Sequence, residues 1–105
     1  MNLSDIQNKI NKFTEDKLIN SRVDVRIIDL TSEVGELSKE VLKGTDYGNK
    51  QFSITKNWKS ELGDVLFSLI CIANETNTNL EDCLNYALYK YEKRFESKGD
   101  LSSGN

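Results

Sequence analysis

Glu33 and Glu36 stand three residues apart in the run Glu33-Val34-Gly35-Glu36, and Glu61-Leu62-Gly63-Asp64 repeats that spacing. Residues three apart on an α-helix share a face, so each run presents two carboxylates side by side. Like charges placed this way repel by roughly 0.2–0.5 kcal/mol, a small cost met twice in matching contexts. Asp64 is followed at once by Val65, Leu66 and Phe67. A carboxylate beside so apolar a segment needs compensation, because unpaired burial of charge is unfavourable. Four carboxylates without histidine or thiolate suit a hard divalent cation, Mg²⁺ first and Mn²⁺ next. The plain alternative is a solvated acidic face on an ordinary helix. Gly35 and Gly63 each cost a helix interior about 1 kcal/mol relative to alanine, so close approach of another helix or of a ligand is expected there. Asp29, Glu40 and Glu75 are read as solvated or salt-bridged rather than as ligands.

Lys90, Lys93, Arg94 and Lys98 cluster near the C-terminal end of the chain. Cations are favoured at a helix C-terminus, which suffices as an explanation. A phosphate role is the other reading: Lys90 and Arg94 share a face, and they would offset the repulsion between an acidic metal site and a polyphosphate. Trp58, Phe67, Tyr91 and Phe95 are core material first. Trp58, Tyr86 and Tyr89 are the aromatic candidates for stacking on a base.

The elements that must position these groups are helical. There is no proline, glycines fall mostly at boundaries, and no strand-like alternation of useful length occurs. The periodicity predicts four helices. The first runs from about Ser4 to Asp16, with Ser4 and Gln7 as a capping box and Leu3 as a staple. The second spans about Arg22 to Lys43, with Val23, Ile27, Leu30, Val34, Leu37 and Val41 as its seam and Gly44 as a left-handed stop. After a polar connector, Thr45 to Ser53, the third runs from Ile54 to Asn77. Its apolar half, Val65 to Ala73, is expected to be the most buried part of the fold. The fourth starts at a capping box of Thr78 and Glu81 and turns Leu84, Ala87, Leu88, Tyr91 and Phe95 inward. The expected fold class is all-α, with one domain over 1–96 and a loose tail over 97–105. A short connector makes the second and third helices antiparallel, which lets their acidic pairs face each other.

Composition narrows the function further. The chain has 105 residues, no histidine and a formal net charge of −3. Histidine-based triads, zinc sites and general bases are therefore excluded, and no strong field for a nucleic-acid backbone exists. Two cysteines are too few for a disulfide framework, and Cys71, in an apolar run, reads as a buried thiol. No apolar stretch approaches the roughly 20 residues of a membrane span, and the N-terminus lacks the apolar core of a signal peptide. A reducing, cytoplasmic setting is expected. A domain this small buries a modest fraction of its surface, so leftover apolar faces imply self-association.

The runs LTSEVGELSKEV and WKSELGDVLFSL resemble the signature of the MazG-type nucleotide pyrophosphohydrolases, an all-α family whose hallmark is E-x-x-E, a spacer, and E-x-x-D. The resemblance places that signature on Glu33, Glu36, Glu61 and Asp64. The run ALYKYEKRF is similar to the family's basic C-terminal segment, which puts phosphate-contacting positions on Lys90 and Arg94 and a further basic one on Lys93. Leu88 stands where the family has asparagine. What the resemblance implies is a four-helix bundle completed by oligomerisation, as a dimer or dimer of dimers. It also implies Mg²⁺-dependent hydrolysis of a nucleoside triphosphate to the monophosphate and pyrophosphate. Rival readings are a relative acting on another phosphoanhydride, and a non-catalytic helical nucleotide-binding or protein-interaction module.

Overall fold

The computed structural model describes residues 1–98 as four helices: α1 (Leu3–Asp16), α2 (Val23–Gly44), α3 (Trp58–Glu75) and α4 (Leu80–Lys98). The part of the expected tail beyond Lys98 lies outside the described residues. None of the described helices is long and apolar enough to cross a membrane.

Helix α1 is capped two residues earlier than expected, at Asn2 rather than Ser4. Asn2 Oδ1 accepts the backbone N–H of Asp5 at 2.8 Å, and Asp5 Oδ2 accepts that of Asn2 at 3.2 Å. Leu3 is therefore the first helical residue rather than a staple ahead of the cap. Gln7, expected in the capping box, is buried and works at long range. Its amide donates to the Thr78 carbonyl at 2.9 Å and its carbonyl oxygen accepts the Leu80 N–H at 2.7 Å. Gln7 thus satisfies an N-terminal donor of α4, one of the groups that a helix start leaves orphaned. The local cap of α4 is Asn79, whose Oδ1 accepts the Asp82 N–H at 3.0 Å, and not Thr78.

Gly44 is not a left-handed stop. It is the last residue of α2, and positive φ falls further on, at Asp46, Tyr47 and Gly48. Its reason is space. A Cβ there would lie 2.5 Å from the Ser53 carbonyl oxygen and 2.7 Å from the Phe52 ring. The returning chain presses onto that spot, with the Ser53 N–H donating to the Gly44 carbonyl at 3.0 Å. Phe52 then stacks edge-on against Trp58 at 5.2 Å. This close return delays α3, which begins at Trp58 rather than Ile54; Thr55 is held outside the helix with its hydroxyl on Glu40.

Helices α2 and α3 form the principal interface, and α1 packs on α3 and α4. The buried residues of α3 are Ser68, Ile70, Cys71 and Ala73, within the segment expected to be most buried. The seam of α2 is only partly used. Leu30 and Leu37 are half-buried on the side of Asp29, Glu33 and Glu40, whereas Val23, Ile27, Val34 and Val41 are left exposed. Nor does α4 turn its stripe inward: Leu84, Leu88, Tyr91 and Phe95 are each more than 40% exposed. The Cα radius of gyration is 16.9 Å, against about 13 Å for a compact chain of this length. A single copy therefore encloses a small core and leaves several apolar faces open.

Gly44→Ala is expected to lower stability by about 1–3 kcal/mol, the range for overpacking a site whose neighbour is backbone. Chemical denaturation of the variant beside the parent chain measures it.

Candidate metal centre

Descending numbers on α2 meet ascending numbers on α3. Glu40 Oε1 accepts the Thr55 hydroxyl at 2.6 Å, and Asp29 Oδ2 accepts the Ser68 hydroxyl at 2.8 Å. Between these two rungs Glu33, Glu61 and Asp64 converge, each offering a carboxylate oxygen within 4.8 Å of the others. The helices are thus antiparallel, and the acidic faces meet. Glu33 and Glu61 are half-buried and Asp64 is exposed.

Among the described residues no cation is paired with Glu33, Glu61 or Asp64. The carboxyl of Glu33 is accordingly held above its ordinary range, first by burial and then by the negative charge of Asp64, Asp29, Glu61 and Glu36. Glu40 shows the opposite case. It is buried, yet the Thr55 hydroxyl, followed by Lys43, draws its carboxyl below the usual range against the effect of burial. One acid on the α2 seam is compensated by the chain, while the Glu33 group is not.

The donor set fits a hard ion. Three carboxylates, two of them half-buried and none paired with a cation among the described residues, supply oxygen ligands and negative charge with no nitrogen or sulfur donor in the group. Their carboxylate oxygens lie within 4.8 Å of one another, a spread that side-chain rotation can close around one ion.

Glu36 lies outside this group. Its Oε1 is 3.4 Å from Lys39 Nζ, in an exposed pair one turn along α2. Gly35 and Gly63 have nothing within 4 Å of where a Cβ would stand. Packing inside the chain does not account for them, and the room beside both carboxylate runs opens outward. Lys90, Lys93 and Arg94 do not join the carboxylates in ion pairs. Lys90 lies over Tyr86, Lys93 over Tyr89 and Arg94 over Tyr91, all 5.4–5.6 Å from the ring centroids, and Lys93 also pairs with Glu96. α4 makes no interface with α2 comparable to that of α3.

Two residues near the centre were not singled out by spacing. Asp29, read as solvated or salt-bridged, instead accepts the Ser68 hydroxyl, while Glu40 is salt-bridged to Lys43 as read and is also buried on the Thr55 hydroxyl. A usable signal existed in Ser68, the one polar side chain in the run Val65 to Ala73. Cys71 is buried as expected, and burial pushes its thiol up, away from nucleophilic use.

The fold is an all-α bundle whose antiparallel α2–α3 pair carries a carboxylate cluster, and comparison with known proteins identifies its family. The family model for the MazG nucleotide pyrophosphohydrolase domain matches residues 26–97. The chain belongs to that family. The protein YpjD of Bacillus subtilis (strain 168) is 41% identical over 68 residues, a stretch covering 62% of this chain and 60% of YpjD. The match thus spans less than two thirds of that relative. The crystal structure of the Bacillus-conserved MazG protein, a nucleotide pyrophosphohydrolase, superposes with a TM-score of 0.73 at 32% identity over 87% of this chain and 89% of that one. The crystal structure of YPJD from Bacillus subtilis does so with a TM-score of 0.75 at 30% identity, over 90% and 96%.

The raised carboxyl of Glu33 has a consequence for stability. A group that takes its proton more readily folded than unfolded stabilises the fold when protonated, and that contribution is lost as pH rises through the folded value. Glu33→Gln is therefore expected to raise the Tm of the metal-free protein at neutral pH, with the gain shrinking as the pH falls. Added Mg²⁺ should stabilise the parent chain more than the variant. Thermal melts with Mg²⁺ or with chelator, over a pH series, check both signs.

Proposed function

We propose that this chain is a Mg²⁺-dependent nucleoside triphosphate pyrophosphohydrolase, converting a (d)NTP to the (d)NMP and pyrophosphate. The observation that carries the reading is the convergence of Glu33, Glu61 and Asp64 across α2 and α3, with no compensating cation among the described residues. Glu33, Glu61 and Asp64 would hold the metal. Glu36 would join them by releasing Lys39, at little cost because an exposed pair of this kind is worth about 0–1 kcal/mol. A bound Mg²⁺ supplies charge neutralisation at the phosphate oxygens. Mn²⁺, with similar oxygen preference, would serve in its place.

The chain's own residues do the rest. A carboxylate of the group orients a water on the α-phosphorus and takes its proton. The new P–O bond forms there as the bond from the α-phosphorus to the α,β-bridging oxygen breaks, and pyrophosphate leaves with that oxygen. Lys90 and Arg94, with Lys93 nearby, would hold the outer phosphates and stabilise the leaving group.

These cations would come from a neighbouring copy. In a single chain α4 lies apart from α2, and the exposed stripe of Leu84, Leu88, Tyr91 and Phe95 offers an apolar surface for a second subunit. The assembly is accordingly a homo-oligomer, a dimer or dimer of dimers, in which apolar faces left open by one chain are closed by another.

The test is pyrophosphate release over a panel of canonical and modified dNTPs and NTPs, with Mg²⁺ or chelator. Metal-dependent turnover is expected. Glu61→Gln or Asp64→Asn should lower it by more than about 100-fold, beyond the range seen for residues that only support metal ligands. Full turnover in both Glu36→Ala and Asp64→Ala would defeat the assignment, and nucleotide binding without product would favour a non-catalytic relative.

Mixed oligomers test the shared site. A Lys90→Ala/Arg94→Ala chain and a Glu61→Gln chain, each inactive, should regain activity after subunit exchange. Failure to regain it, with exchange shown by mass, would place the cations on their own chain's carboxylates.

A further inference from the structure

The hydroxyl side chains of this protein usually turn back on their own helices. Thr31, Ser38 and Ser97 each donate to the carbonyl four residues earlier, on Ile27, Val34 and Lys93. Such back-bonding is the ordinary resting place for a helical serine or threonine. Ser68 does otherwise. It is 2% exposed, and its hydroxyl crosses to α2, donating to Asp29 Oδ2 at 2.8 Å.

The position of that bond gives it meaning. Ser68 follows Asp64 by four residues on α3, and Asp29 precedes Glu33 by four on α2. The bond therefore ties together the two helical turns next to those carrying Asp64 and Glu33. On the opposite side, the Thr55–Glu40 bond ties α2 to the segment leading into α3. The carboxylate group lies between two hydroxyl-to-carboxylate rungs.

We infer that Ser68 and Asp29 are positioning residues for the metal centre, Ser68 acting through Asp29 to hold the register in which Glu33 meets Glu61 and Asp64. The inference rests on the metal-binding reading proposed above. Its content is a division of labour among the acids of α2. Asp29 carries the same charge as Glu33 and shares its face, yet its carboxylate is occupied by a buried donor and faces α3. Without that donor, Asp29 is free to turn one turn along α2 toward the ion and compete with Glu33 for it. The interhelical register would lose one of its two flanking polar restraints, while Thr55 and Glu40 keep the helices paired.

The experiment is Mn²⁺ titration of the purified full-length chain without nucleotide, read by calorimetry and by the electron paramagnetic resonance of free Mn²⁺, with circular dichroism as the folding control. Ser68→Ala and Asp29→Ala should each weaken Mn²⁺ binding by about 10-fold or more, as is typical for groups that orient metal ligands, with helicity kept. Asp29→Asn removes the charge but keeps an oxygen to accept the Ser68 hydroxyl, so it should bind close to the parent. Parent-like affinity in Ser68→Ala overturns the inference while leaving the metal centre standing. Asp29→Asn as weak as Asp29→Ala also overturns it, because charge rather than the hydrogen bond would then be at work. A parent chain that binds no Mn²⁺ overturns the metal centre itself, and this inference with it.

Discussion

Three carboxylates held together with no counter-charge among the described residues are the constraint on which the rest of this structure turns. With their oxygens within 4.8 Å of one another, each pair costs on the order of 1 to 4 kcal/mol, depending on how far water screens it. A chain free to minimise its own energy would separate Glu33, Glu61 and Asp64 or pair them with lysine. Here other interactions hold them together: the apolar contacts of α2 with α3, and the two hydroxyl-to-carboxylate bonds at Glu40 and Asp29. Burial first, and then these like charges, hold the Glu33 carboxyl above its ordinary range. In the proposed enzyme a divalent cation relieves the repulsion, so stability withheld from the empty fold becomes affinity for the ion.

The same arrangement explains an inversion on α2. An isolated amphipathic helix would be expected to bury its valines and leucines and show its acids to water. This helix turns Arg26, Asp29, Glu33 and Glu40 toward the side of α3 and leaves Val23, Ile27, Val34 and Val41 exposed. The side toward α3 carries the site and its supports beside Leu30 and Leu37, and the valines with Ile27 are left over. With the open stripe of α4, that leftover surface is what the proposed oligomer would bury. Site and assembly are then two uses of opposite faces of one helix.

Connections between helices are set by small, specific contacts. Gly44 admits the returning chain at Phe52 and Ser53, which fixes where α3 can start. Gln7 reaches from α1 to the start of α4 and joins elements far apart in sequence. Neither acts through burial of large apolar groups. Both satisfy backbone or open space for it, and so they set direction more than they add stability.

Much of this was written in the order of the residues. Four helices follow from periodicity and the absence of proline. The duplicated carboxylate pairs follow from spacing, and the buried half of α3 follows from its unbroken apolar run. These are local properties, carried by neighbours one or two turns apart, and a helix expresses them wherever it packs. What needed tertiary structure was every choice among competing partners. Ser4 and Gln7 have a capping-box spacing as good as that of Asn2 and Asp5, and only the position of α4 shows that Gln7 is occupied elsewhere. Glu36 and Glu33 are equivalent by spacing, yet Glu36 lies one turn along with Lys39 while Glu33 meets Glu61 and Asp64. The α4 stripe has inward-facing periodicity, but no other helix of the same chain covers it. Periodicity states that a face is apolar. What covers that face depends on the geometry of chains that the period does not contain.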